Sequence, residues 1–146
     1  MEDDREANPD LVASGWKPVR PGAFITLIGP FYTRLVDGRP QFCFRVNAKH
    51  DNTQGRPHGG MIMSFLDEAL GHSTQIARPD VSFSTIGFDC KFIEGSVVGD
   101  LVVAETEVIR ATRSLMFMRG ECKVEDRVIA VASGIWKMLK PREPER

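Results

Sequence analysis

The sequence is short of what commonly builds a metal or nucleotide site. Its 146 residues hold three histidines and three cysteines. His50, His58 and His72 form no His-Glu-x-x-His pair and Cys43, Cys90 and Cys122 include no Cys-x-x-Cys, so a metal site is not expected. An odd number of thiols, each in a strand-like stretch, reads as buried free cysteines rather than a disulfide framework. No Walker-type phosphate loop, Gly-x-Gly-x-x-Gly turn or Gly-x-Ser-x-Gly elbow is present, which removes support for nucleotide hydrolysis, dinucleotide chemistry and a serine nucleophile. A dominant charge is missing as well: 19 basic against 20 acidic residues give no global attraction for nucleic acid or an anionic membrane. No apolar run reaches membrane-spanning length, and the first residues, Met-Glu-Asp-Asp-Arg-Glu, are acidic where a secretory leader is basic. A cytoplasmic protein is therefore expected.

What the sequence does contain is one place, residues 52–71, where polar, glycine-rich chain turns directly into an apolar helix. From about Gly60 to Ala77, Ile62, Phe65, Leu66, Ala69, Leu70 and Ile76 recur at helical spacing, with Glu68, His72 and Gln75 on another, solvated face. Asp67 belongs to neither group. At about 100° per residue it shares a stripe with Gly60, Ser64, Gly71 and Thr74, small or polar residues that admit a substrate or a second backbone. Gly59 and Gly60 stand where the helix begins, and the first amides of a helix have no intrahelical acceptor, so they make a candidate oxyanion site. Arg78-Pro79 ends the helix.

The remainder reads as sheet. Phe24 to Val36 looks like a strand, Asp37-Gly38 is a two-residue hairpin signal, and Gln41 to Val46 alternates Phe42, Phe44 and Val46 against polar neighbours. After the helix, the segments 86–92, 102–108 and 116–124 each present one apolar and one charged face. The last, Val128 to Leu139, is apolar on both faces and is expected to be central or covered by another subunit. The 42% hydrophobic content suffices for one domain. We expect a flexible arm over residues 1–21, a single domain over 22–140 and a charged tail over 141–146. One long helix and about six mostly antiparallel strands make this an α+β domain whose sheet wraps the helix.

The order Asn52, His58-Gly59-Gly60, Asp67 resembles the signature of hotdog-fold acyl-CoA thioesterases, the PaaI-like group in particular, and the likeness extends over about Gly22 to Leu139. The resemblance implies a hotdog fold and hydrolysis of an acyl-CoA, with no cofactor beyond that substrate. Asp67 would act as general base or attack directly to give an anhydride; the Gly59 amide would polarise the thioester carbonyl. Asn52 matches the residue that contacts the thioester or water, His58 the one that supports the loop, and Thr85 a position where the family often has a water-holding Ser or Thr.

Spacing adds a constraint. Gly59 and Asp67 are eight residues apart, about 12 Å along a helix, so one carbonyl cannot touch both within one chain. The hypothesis thus requires a homodimer with shared sites, and the resemblance commonly implies a dimer of dimers. Gly60, Phe65, Met63 and Phe83, together with Met61, Met116 and Met118, are candidates for lining an aromatic or short to medium acyl group, although a Met-rich lining is more often plain core. Arg110, Arg113 or Lys140 are candidates for holding the CoA phosphates. The rival readings are a non-catalytic acyl-CoA sensor, which would not need Asp67, and a hotdog dehydratase or hydratase, which would need a converging His and acid pair.

Overall fold

A computed structural model describes residues 8–140. In chain order its elements are α1 (Pro9–Ala13), β1 (Lys17–Pro18), α2 (Ala23–Ile28), β2 (Tyr32–Val36), β3 (Arg39–Arg45), a 3-10 turn (Ala48–His50), α3 (Gly59–Ala77), β4 (Ser82–Phe92), β5 (Leu101–Ala111), β6 (Leu115–Val124) and β7 (Arg127–Leu139). The strands form one seven-stranded antiparallel sheet in the order β1-β2-β3-β5-β6-β7-β4. β7 lies between β6 and β4, which is why its sequence is apolar on both faces. β4 is left at the edge.

The long helix runs almost as its periodicity predicts. Met61, Ile62, Phe65, Leu66, Ala69 and Leu70 form the buried stripe, and the sheet curls around it so that Phe42, Phe44, Val102, Ala104, Met118 and Trp136 meet it from several strands. Each fully buried Leu or Phe in this layer contributes about 1.5–3 kcal/mol relative to exposure. Gly120 sets how closely the helix sits: a Cβ there would lie 3.1 Å from Leu70 Cδ2 and 2.8 Å from the Glu105 carbonyl. Asp37 and Gly38 both adopt positive φ, 51° and 76°, as the hairpin between β2 and β3 requires.

Two expectations are corrected. The stretch from Phe24 to Val36 is not one strand, because its first part is the helix α2. Gly29 closes α2 by donating its N–H to the Ile25 carbonyl at 2.7 Å, in a position where a Cβ would meet that same oxygen. The arm expected over 1–21 is packed from Asn8 onward. Asn8 caps α1 and its own N–H donates to the Tyr32 hydroxyl at 2.7 Å. Leu11 and Trp16 cover Tyr32 and Cys43 on the sheet face away from α3, and the Arg34 guanidinium lies 4.1 Å from the Trp16 ring. β3 is thereby buried on both sides, although its alternation suggested one wet face. The expected tail, residues 141–146, lies outside the described residues.

Cys43, Cys90 and Cys122 are free thiols. Burial pushes Cys43 and Cys122 up to about 12, so neither is a thiolate near neutral pH.

Candidate functional site

The loop that delivers the chain to α3 is stapled by its own polar side chains. Asp51 Oδ1 accepts from the Gly55 N–H at 2.7 Å and Asn52 Oδ1 from the Gln54 N–H at 3.0 Å. The Asn52 N–H donates to the Arg56 carbonyl at 2.8 Å. This is the turn-forming habit of Asx residues, and it leaves the Asn52 side-chain N–H groups without an acceptor among the described residues. Thr53 and Gly55 take positive φ, 77° and 75°, to complete the turn.

His58 is the N-cap of α3. Its Nδ1 accepts the Gly60 N–H at 2.8 Å, which puts the ring proton on Nε2 and makes the imidazole a structural cap. Gly60 is therefore not a free oxyanion donor. The Gly59 N–H, by contrast, has no acceptor among the described residues. Phe92, at the end of β4, packs on Gly59 so closely that a Cβ would stand 3.2 Å from its ring. The free amide opens on a pocket of about 320 Å³ bordered by Asn52, Arg56, Ile62, Phe92 and Ser96.

Two turns further along α3, Asp67 is half-buried and faces β4, where the Thr85 hydroxyl donates to its Oδ1 at 2.8 Å. Oδ2 has no partner among the described residues. The small-residue stripe is only partly open: Gly71 accommodates Trp136, whose Nε1 lies 3.3 Å from where a Cβ would be, and the Ser64 hydroxyl donates to the Gly60 carbonyl. Glu68, expected on a solvated face, is instead half-buried. Burial, and next the Asp67 carboxylate beside it, raise its pKa above the ordinary value of 4.5.

The remaining candidates divide. Phe65 is fully buried, its ring 4.7 Å from Phe44 and 5.1 Å from Phe31; it belongs to the core, as do Met61, Met116 and Met118. Met63 is exposed, and Phe83 is half-buried against the core. Arg110, near the end of β5, and Arg113, in the turn that follows, are exposed and pair with no carboxylate among the described residues. The register runs from Ala111 through Met116 and Trp136 to Thr85, so these arginines sit at the Thr85 end of the sheet and not at the Gly59 end.

Sequence reasoning missed His50, Phe92 and Ser96. His50 is buried, its Nε2 at 2.7 Å from the Ile28 carbonyl and its ring edge-on to Phe44, which pins the site loop to α2. Phe92 carries no local signal, since it acts on a residue remote in the chain, and neither does Ser96, whereas His50 also accepts the Asn47 N–H on Nδ1 at 3.1 Å in a capping box built from neighbouring residues. A larger hollow of about 860 Å³ on the outer sheet face, among Gln41, Glu105, Glu107 and Arg119, contains no candidate site residue.

Residues 54–131 match the profile described as thioesterase superfamily. A Pseudomonas aeruginosa protein whose name proposes an esterase is 29% identical over 131 residues, covering 87% of this chain and 97% of that protein. A Bacillus halodurans protein crystallised with CoA superposes with a TM-score of 0.70 at 18% identity, over 75% of this chain and 74% of the other. A variant of the phenylacetic acid degradation protein PaaI from Thermus thermophilus gives 0.71 at 20% identity, over 81% and 100%. At such identities the structural likenesses speak to the fold alone, and the fold is the hotdog.

Proposed function

This chain belongs to the thioesterase superfamily, and from that premise we propose that it hydrolyses an acyl-CoA to the free acid and CoA, using Asp67 of one protomer and the Gly59 amide of another. Thioester hydrolysis is its class of activity; the substrate, the residue roles and the dimer are our reading. The observation that carries this reading is the pair of unspent polar groups on α3, a carboxylate oriented by Thr85 and a helix-terminal N–H without an acceptor. They are about 12 Å apart along the helix.

The edge position of β4 supports the dimer. The strand offers eleven residues with one side unpaired among the described residues, and Ile86 and Phe92 are 57% and 54% exposed. Such an edge invites a partner strand. Antiparallel two-fold pairing of β4 with its own copy would run the Thr85 end of one strand beside the Phe92 end of the other, bringing Asp67 of one protomer toward Gly59 of its mate.

In that site the thioester oxygen would accept from the Gly59 N–H, at the positive end of the α3 dipole, with an Asn52 side-chain N–H as a second donor. Asp67 Oδ2 would take a proton from water as it attacks the carbonyl carbon, or attack that carbon itself. In either path the C–S bond breaks and the sulfur leaves as a thiolate that takes up a proton; in the second path the resulting mixed anhydride is then cleaved by water, which releases the acid and restores the Asp67 carboxylate. Thr85 would hold the carboxylate in place for this step. Arg110 and Arg113 are the cations we assign to the CoA phosphates, and we retain the cytoplasm as the expected location. Among the described residues no helix is long and apolar enough to cross a membrane.

The test is thiol release from aromatic and aliphatic acyl-CoAs by the unaltered protein and by Asp67→Asn at matched folding. A fall in kcat of about a thousandfold or more is expected; undiminished turnover would remove Asp67 from the mechanism. Mixed dimers of Asp67→Asn and Gly59→Val chains should recover one working site, and no recovery would argue against sharing.

A further inference from the structure

In the wall of the pocket beside the α3 N-terminus lies a buried polar group that the proposed reaction does not use. Ser96, in the segment after β4, borders that pocket and is 4% exposed, and its Oγ has no hydrogen-bond partner among the described residues. A buried hydroxyl left unpaired is destabilising, and in a native fold it calls for a ligand or another explanation. Arg56 stands at the same pocket. Its guanidinium lies over Gly95, where a Cβ would be 3.3 Å from Nη1, and no carboxylate among the described residues pairs with it. The nearby Glu94 is held by Arg127 at 2.9 Å, so the exposed Arg56 guanidinium has no ion-pair partner among the described residues. Ile62, Phe92 and Ile129 supply apolar walls.

We propose that this pocket receives the acyl group, and that Ser96 and Arg56 select one ending in a carboxylate, so that the preferred substrate is the CoA thioester of a short dicarboxylic acid. This rests on the thioesterase reading above, with the thioester oxygen on the Gly59 amide. The apolar walls take the methylenes. The Ser96 hydroxyl, after rotation about its single side-chain torsion, donates to one carboxylate oxygen, and the guanidinium takes the other. The substrate's other anion is the CoA diphosphate. About fourteen bonds of pantetheine arm separate it from the thioester carbon, a span that a pocket of about 320 Å³ opening at Gly59 does not contain. An anion held this close to the thioester belongs to the acyl side.

The experiment compares kcat/KM for two chain-matched pairs, pentanoyl-CoA with glutaryl-CoA and hexanoyl-CoA with adipoyl-CoA. The unaltered protein should prefer the carboxylated member by about tenfold or more, since a charge-assisted bond is at stake. Arg56→Gln should bring that ratio to about one, and Ser96→Ala should lower it about threefold. An equal loss on both members of a pair in Arg56→Gln would assign the guanidinium to the CoA phosphates and overturn the proposal. A Ser96→Ala variant with a raised melting temperature and an unchanged ratio would overturn the role of the hydroxyl. Calorimetric titration of Asp67→Asn with hexanoyl-CoA and adipoyl-CoA separates this proposal from the reaction it rests on. Tighter binding of adipoyl-CoA supports it even if no acyl-CoA is turned over, equal binding overturns it, and absence of turnover in the unaltered protein counts against the thioesterase reading alone.

Discussion

The Thr85 hydroxyl donates to Asp67 Oδ1 across 2.8 Å, joining the middle of the long helix to the edge strand of the sheet. The bond occupies one carboxylate oxygen, restrains the side-chain torsions and leaves the other oxygen without a partner among the described residues. A carboxylate that had to be frozen out of several rotamers on substrate arrival would lose part of its advantage as base or nucleophile.

Thr85→Val keeps the side-chain shape and deletes the donor. Hydrogen bonds to charged groups are worth about 1.5–3 kcal/mol, so kcat should fall by about tenfold to a hundredfold. Because Thr85 is exposed in the single chain, the melting temperature should move by no more than about 2 °C. Thr85→Ser should retain most of the rate. Full activity in the valine variant would show that Asp67 needs no such support.

Glu68 should make stability depend on pH. Its carboxyl pKa is raised on folding, first by burial and then by Asp67. The protonated form therefore suits the folded state, its contribution is fully present below the unfolded value of 4.5, and it is lost as pH rises through the higher folded value. Glu68→Gln mimics the protonated form. It should raise the melting temperature at pH 7, with the gain vanishing below about pH 4.5; thermal scans across pH 4 to 8 would check this, and a gain that persists in acid would contradict the assignment.

His72 points the other way. Burial lowers its pKa from 6.5, and its ring sits edge-on to Phe42 at 5.5 Å between centroids. The neutral ring is favoured in the folded state, so its contribution is present above the unfolded value and is lost as pH falls through the lower folded one. Replacing His72 by Gln should flatten the acid side of the stability profile between about pH 6.5 and the folded value, as read by urea titration.

Gly134→Ala should be severe. A Cβ there would stand 2.6 Å from the Gly87 carbonyl and 2.7 Å from the Trp136 ring, and neither the β4 backbone nor a buried indole can retreat. Overpacking of this kind costs about 1–3 kcal/mol or more, and denaturant unfolding should show it.

Phe65→Ala should cost about 3–5 kcal/mol, as for other buried aromatics, whereas Met63→Ala should cost less than about 1 kcal/mol because Met63 is 39% exposed. If Phe65 instead lined the acyl pocket, its loss would change chain-length preference with little effect on unfolding.

Local chemistry in the chain was enough for several elements. The periodicity from Ile62 to Leu70 and the stop at Arg78-Pro79 locate α3, Asp37-Gly38 locates the first hairpin, and the doubly apolar β7 is central. Gly59 and Asp67 stood out because the first amides of a helix and a stripe of small residues have their own local pattern, whereas Asn52 and His58 stood out through the family resemblance. Short-range propensity failed at Phe24–Ile28, whose β-forming residues become a helix because Gly29 closes it and the Ile28 carbonyl is bound by the distant His50.

What the sequence by itself determined is therefore the helix, its stop at Arg78-Pro79 and which side chains stand at its two polar points, since turns, breakers and amphipathic spacing act over a few residues. Only the tertiary structure decided that Thr85 meets Asp67, that Phe92 covers Gly59, that Phe65 is core, and that Ser96 and Arg56 share a pocket with the free amide. Those contacts follow from β7 inserting between β6 and β4 and from the register of that pairing. Strand order is a long-range choice made by the packing of the whole sheet around α3, and no local pattern of residues encodes it.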